Sequence, residues 1–380
     1  MASVYRRRRR VVAALAVMVL VPFVVLAGSL VLASQVPGNE NVTAKWADWW
    51  KDHHGGPVVN RIEAFWYSQQ APGKGGAPKG LAVVPPTVGQ ASQSGQASVL
   101  PTTDAPPPAI APIVSGLPGE GVWRPTGSLV AGRPVIEVAQ VRPDTVHTSI
   151  LVEAVWIDAR AVRFTLVPGL REPGTSIPST HQIDGTLRAK VIAAFNGGFR
   201  MKDSRGGFYL NGQTVGTLRP GAASLVLHRD GTVDVGQWGR DDRMGPDVVG
   251  VRQNLDLLVD GGKVPATVTA TDQRRWGSTI GTSVLVWRSG VGIDAHGNLI
   301  YVAGHGLSAL TLATTLVRAG AVRAMTLDMN PEWVTFNLYA HPDGAQADRI
   351  VSTKLDPAMH RPADRYLTPD SRDFIAISAP

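Results

Sequence analysis

Residues 190–212 read KVIAAFNGGFRMKDSRGGFYLNG. The apolar run 191–195 stops at Asn196-Gly197-Gly198-Phe199. Asn-Gly and Gly-Gly steps tolerate positive φ, so the chain can turn sharply there. A second glycine pair, Gly206-Gly207, precedes Phe208-Tyr209-Leu210 and another Asn-Gly step at Asn211-Gly212. The pattern predicts a strand, a tight loop carrying an exposed amide side chain, and a hairpin. Loops held by a rigid scaffold are where sites concentrate, although glycine pairs are equally ordinary turn punctuation.

Working outward, segments 147–157 and 161–167 alternate in polarity and carry β-branched residues, which predicts strands. Further strands are expected at 206–210, 223–228, 232–235, 255–259, 280–287, 290–294, 298–303 and 321–327. Turns fall at Arg229-Asp230-Gly231 and Asp260-Gly261-Gly262. Two helices are expected. One spans 180–188. The other spans 308–319, with Ser308 as N-cap and Gly320 as the residue that stops it. The sum is an α+β domain over residues 119–380, with a mixed β-sheet and few helices.

The rest of the chain has a different composition. The formal charge is +7, and residues 6–10 supply five of those charges as arginines. The remainder is nearly balanced, with no Lys/Arg stripe of the kind that tracks phosphates, so no nucleic-acid partner is expected. Cysteine is absent, which excludes disulfides, thiolate catalysis and Cys-ligated metals. Residues 1–10 read as a basic cytoplasmic tail. Residues 11–33 form an uncharged apolar run, long enough to span a hydrocarbon core about 30 Å thick as a transmembrane signal anchor. The positive-inside bias then keeps the N-terminus cytoplasmic and the C-terminal domain extracytoplasmic. That is the expectation for a single-pass membrane protein.

Residues 34–69 form a juxtamembrane amphipathic segment. Trp46, Trp49 and Trp50 share one helix face there. Their indoles suit either a headgroup layer or a small helical hairpin docked on the domain or a partner. Residues 70–118 contain ten prolines among Ala, Gly and Ser, and read as a flexible, disordered linker that holds the domain away from a bilayer.

Several blocks within the domain fall in a recognisable order. They are Arg142-Pro143-Asp144, Val167-Pro168-Gly169, Ala194-Phe195-Asn196-Gly197-Gly198-Phe199, Asn211-Gly212-Gln213, His228-Arg229-Asp230-Gly231, Leu258-Val259-Asp260-Gly261-Gly262, Ser278-Thr279-Ile280-Gly281, Gly306-Leu307-Ser308 and Leu327-Asp328. Over about residues 140–336 the chain resembles the phosphodiester glycosidase family, whose type member is the lysosomal uncovering enzyme. The resemblance implies an envelope hydrolase acting on a glycan or sugar-phosphodiester substrate, with no cofactor. The chain departs from the family pattern at two places. Gly277 stands where the family carries an arginine. Met329-Asn330-Pro331-Glu332-Trp333 replaces a glycine-rich loop, and Pro331 removes one backbone donor that such a loop would offer to phosphate. These departures keep a second reading open, a non-catalytic glycan-binding or scaffold module on a membrane stalk.

Cleaving a sugar phosphodiester on its sugar side needs donors for the phosphate, an activated water or nucleophile, and a carboxylate near the developing positive charge. Asp328, after the last strand of the motif series, is the first candidate carboxylate, and Glu332 is the second. Asn196 offers an amide to a hydroxyl or phosphate. His305, between two glycines, is a candidate proton shuttle. Arg200 and Arg275 are the candidate phosphate-gripping cations. Gly197, Gly198 and Thr279 belong to the motif loops, and Trp333 is a candidate sugar platform. No His/Asp/Glu cluster has metal-ligand spacing, so no metal is expected.

Overall fold

The computed structural model describes residues 18, 20–53, 58–59, 61–62, 72–78, 80–88, 105–271, 275–277, 284–342 and 349–380. Three antiparallel sheets make up the domain. A seven-stranded sheet runs in the order Leu257–Val259, Arg323–Thr326, Val286–Ile293, Leu299–Leu307, Val152–Ile157, Ile136–Val141, Arg124–Pro125. One five-stranded sheet runs Val233–Gln237, Ala223–His228, Val248–Asn254, Phe208–Leu210, Gln213–Val215. The other runs Val351–Lys354, Phe336–Ala340, Val191–Asn196, Phe374–Ser378, Phe164's strand Arg163–Val167.

The expected mixed sheet is not what forms. Apart from a two-residue parallel pairing of Thr87–Val88 with Gly127–Ser128, the ladders among the described residues are antiparallel. Short turns join some neighbours, such as Phe208–Leu210 with Gln213–Val215 and Val286–Ile293 with Leu299–Leu307, and the other neighbours come from distant parts of the chain while still pairing antiparallel. The domain is mostly β, with few helices.

Period-two alternation sorts the side chains of the central strands into two cores. In Val152–Ile157, Val155 and Ile157 face the core between the sheets, whereas Ala154 and Trp156 face the layer beneath helix Ala309–Arg318. Strand Leu299–Leu307 divides in the same way: Leu299 and Tyr301 on one side, Ile300 and Val302 on the other. Such strands are buried on both faces, so they read as continuous apolar runs. Helix Ala309–Arg318 buries Leu312, Ala313 and Leu316. Ser308 caps it by accepting from the Thr311 N–H at 3.0 Å. Gly320 follows at φ 102°, as its sequence position predicts.

Several boundaries moved for a steric reason. The expected break between 287 and 290 is absent, and Val286–Ile293 is one strand. Gly290 lies beneath Leu312 and Leu316, where a Cβ would meet them at 3.1–3.2 Å. The expected loop around His305 is the end of strand Leu299–Leu307. A Cβ on Gly304 would come within 2.4 Å of Val152. These glycines mark close approach rather than turns. The helix expected at 180–188 is Gly185–Lys190. The strands Ile136–Val141, Val248–Asn254, Phe336–Ala340 and Phe374–Ser378 were not anticipated.

Of the N-terminal regions, residues 1–17 lie outside the described residues, and with them part of the expected 11–33 span. Among the described residues no helix is long and apolar enough to cross a membrane. Helix Val42–Asp52 docks as a hairpin partner of the helix before it: Trp46 and Trp50 donate to the Ser29 hydroxyl at 2.9 and 3.1 Å. The described parts of the proline-rich segment lie against the domain. Gly75 N–H donates to Val146 O at 2.7 Å, Thr126 donates to Pro85 O at 2.7 Å, and Ile110 is buried.

Candidate active site

Asn196 at the end of strand Val191–Asn196, Ser289 in the middle of strand Val286–Ile293, and Asp328 just past strand Arg323–Thr326 come together. Asp328 is 3% exposed. One of its carboxylate oxygens accepts from the Met329 N–H at 2.7 Å. Its own carbonyl accepts from the Ser289 N–H at 2.8 Å. Burial pushes the Asp328 carboxyl up to about 6, against the pull of Arg372, the N–H groups of Met329 and Asn330, and Arg365. A carboxyl held there exchanges a proton near neutrality.

Asn196 was expected to offer its amide to a substrate. Its amide is instead fully engaged inside the protein. The Nδ2 donates to Gly197 O at 2.9 Å and to the Ser289 hydroxyl at 3.0 Å. The Oδ1 accepts from the Thr335 N–H at 3.1 Å and the Tyr301 hydroxyl at 3.2 Å. With both donors used, Asn196 is a positioning residue. It fixes Ser289, whose hydroxyl accepts from the Asp328 N–H at 3.3 Å.

The cations of the site come from a segment that was not singled out in the sequence, residues 361–373. Arg372 stands 4.6 Å from the centre of the Trp333 ring, Arg365 5.3 Å and Arg361 5.9 Å. Trp333 is 6% exposed and covered by these three guanidiniums, so it does not present a face to a sugar as expected. It serves as a cation–π base for the arginines. Arg365 makes a paired contact with Asp370 at 2.6 and 3.1 Å. Burial disfavours the Asp370 charge, but Arg365 outweighs it and holds the carboxyl below its usual value. Arg372 Nη1 is enclosed without a hydrogen-bond partner, and the charge of Arg372 acts on Asp328.

The glycine loop has a different purpose from the one expected. Neither Gly197 nor Gly198 has a positive φ. A Cβ on Gly197 would fall 2.1 Å from the Asp373 carboxylate, and one on Gly198 3.1 Å from the Asn254 amide. Asp373 is held by the fully buried Arg252 at 2.8 Å, and Arg252 also donates to Phe199 O at 2.5 Å. The loop is therefore clamped from behind by a buried ion pair. Its glycines permit that approach.

The other expected residues scatter around this centre. Glu332 is half-buried, 3.5 Å from His360. The His360 contact, with Arg361, outweighs burial and holds its carboxyl below the usual value. One Glu332 oxygen is enclosed and unpartnered. His305 packs edge-on to Trp287 at 6.0 Å, and burial together with His360 pushes its imidazole down. No described contact joins it to Asp328. Arg275 is an exposed partner of Asp256 at 2.8 Å. Arg200 lies in a neighbouring cleft with Arg171, Lys202 and Arg372. Thr279 falls outside the described residues. Gly277, at φ 93°, abuts Met329, and the adjacent Arg288 is buried without a carboxylate partner among the described residues. Burial pushes it down to about 10, still charged at neutral pH.

One signal was available for the missed cations. Residues 361–373 carry six charged side chains (Arg361, Asp364, Arg365, Asp370, Arg372 and Asp373) in a chain only 18% charged, and such density outside a tail marks a buried polar network.

Residues 189–351 match one family model, described as phosphodiester glycosidase. Among solved structures, the chain is similar to the zebrafish N-acetylglucosamine-1-phosphodiester alpha-N-acetylglucosaminidase catalytic domain, auto-inhibited by pro-peptide. Identity is 17% over 66% of this chain and 85% of that one, with a TM-score of 0.43. It is also similar to a hypothetical protein from Synechocystis, at 15% identity over 68% of this chain and 64% of that one, with a TM-score of 0.37. No curated protein matches the chain.

Proposed function

We propose that this chain, whose residues 189–351 match the phosphodiester glycosidase family model, hydrolyses a sugar phosphodiester of an envelope or exported glycan at the bond between the anomeric carbon and the phosphate oxygen. The observation that carries the reading is the placement of Asp328, a buried carboxyl just past a strand that accepts from the Met329 N–H and adjoins Ser289 and Asn196; burial raises it to about 6, against the pull of Arg372. Above that pH the carboxylate takes a proton from water as the water oxygen bonds to the anomeric carbon. The C–O bond to phosphate breaks, and its electron pair leaves on the phosphate. Arg372, whose Nη1 has no protein partner, supplies the donor that the departing phosphate charge needs. Arg365 and Asn196 touch only protein and position the centre. Arg372 would thus supply a cation that Gly277 does not.

Membrane anchoring belongs to the same proposal. It is supported by the arginines at 6–10 and by exposed apolar side chains such as Phe23, Val24 and Val31 on the helix that precedes Val42–Asp52. It would place the domain outside the cytoplasm. The test is release of free sugar by the purified chain from a panel of sugar-1-phosphodiesters, repeated with Asp328→Asn. Turnover that disappears in the variant supports the proposal. Saturable glycan binding with no turnover of any panel member would sink it in favour of a binding module.

A further inference from the structure

Beside the Asp328 centre, a cleft of about 110 Å³ is lined by Arg171, Arg200, Lys202 and Arg372, together with Glu172, Ser371, Asp48 and Asp52. Four cations converge there, and what faces them is the chain's own helix Val42–Asp52. Asp52 lies 2.7 Å from Lys202, 3.1 Å from Arg171 and 3.6 Å from Arg200, and Asp48 lies 3.7 Å from Arg171. Burial works against the Asp52 charge, yet Lys202, Arg200 and Arg171 hold its carboxyl below the usual value. The chain just before this helix lies over the other cations: Asn39 accepts from Arg361 and donates to Arg365 O at 2.5 Å, and Glu40 accepts from Ser371. Residues 39–52 thus form a strap across the cationic side of the site.

Resting on the hydrolase reading, we propose that Arg171, Arg200 and Lys202 form a second anion subsite, which takes a phosphate on an adjoining repeat of an extended substrate, and that Asp48 and Asp52 occupy it until that phosphate displaces them. Three observations support the subsite. Arg372 is shared between the cleft and the Asp328 centre, so an anion in the cleft lies next to the reacting phosphate. The Nη1 atoms of both Arg200 and Arg372 are enclosed without a hydrogen-bond partner, so the two aspartates leave donors unused that a phosphate, with more oxygens, would fill. Helix Val42–Asp52 buries none of its residues, and partly exposed ion pairs each contribute little. The helical part of the strap, Val42–Asp52, is therefore held weakly enough to yield to a multivalent anion, while Glu40 stays buried at its base. The aspartates mimic the ligand's charge at the cost of a weaker fit.

Tripolyphosphate, titrated calorimetrically into the full chain, tests the subsite without needing turnover. The Asp48→Asn/Asp52→Asn double variant is expected to bind it at least tenfold more tightly than the parent. Adding Arg171→Ala and Lys202→Ala is expected to abolish the gain, with thermal melting checked in each case. Equal affinity in parent and double variant, or a gain that survives loss of Arg171 and Lys202, overturns the proposal. Sugar release is scored separately. Tripolyphosphate binding that follows these variants in a protein with no turnover sinks only the hydrolase reading. Turnover in a protein whose tripolyphosphate affinity ignores them sinks only the subsite.

Discussion

Replacing Asp328 with Asn should make the protein more stable at alkaline pH while removing its activity. The substitution keeps the shape and the oxygen that accepts from the Met329 N–H at 2.7 Å; it removes only the charge. Burial raises the carboxyl from 3.8 to about 6 in the folded state. A folded-state value above the unfolded one means that the native protein binds the extra proton between those pH values. The acid's favourable contribution is therefore complete below about pH 4 and is lost as pH rises through about 6. Relative to Asn at the same site, the parent should lose about 3 kcal/mol across that window. At a urea m-value of about 3 kcal/mol/M, that is a midpoint difference of about 1 M at pH 8. Urea melts of both proteins at pH 4, 6 and 8 measure it directly, because other titrating groups cancel in the comparison. Equal midpoints at pH 8, or a variant weaker at every pH, would show that Arg372 and Arg365 fully compensate the buried charge, and the argument for a carboxyl poised near neutrality would fail. The same variant should lose about 10²–10⁴-fold in turnover.

Three further outcomes follow from contacts at the site. The acid limb of the kcat/KM profile should lie near pH 6, and Arg372→Met should move it upward, since Arg372 lowers the Asp328 carboxyl; a limb that stays put assigns the titration elsewhere. Gly197→Ala should destabilise the fold by about 1–3 kcal/mol, read by urea melts, because its methyl would fall 2.1 Å from Asp373; an unchanged midpoint would mean the loop relaxes freely. Arg252→Met should cost about 3–5 kcal/mol by stranding Asp373, and adding Asp373→Asn should recover part of that loss; additive losses in the double variant would refute the pairing.

Local signals in the sequence were reliable where the chemistry is local. Asn211-Gly212 turns with φ 46° and 89° between Phe208–Leu210 and Gln213–Val215, as an Asn-Gly hairpin should. Ser308 and Gly320 bound their helix because a hydroxyl and an αL glycine satisfy orphan backbone groups whatever the rest of the protein does. The ordered blocks pointed to the family whose model matches residues 189–351, and Asp328 lies just past a strand, as its sequence position suggested. What only the tertiary structure decided was the meaning of residues whose partners are far along the chain. Asn196 is saturated by Ser289, Tyr301 and Thr335. Gly197 is small because Asp373 presses against it. Trp333 carries arginines from residues 361–372 instead of a sugar. The acids of residues 48–52 sit among cations more than a hundred residues later. Propensity and capping act within a turn or two of chain, whereas close approach, hydrogen-bond saturation and charge pairing depend on which distant strands become neighbours, and no short window of sequence contains that information.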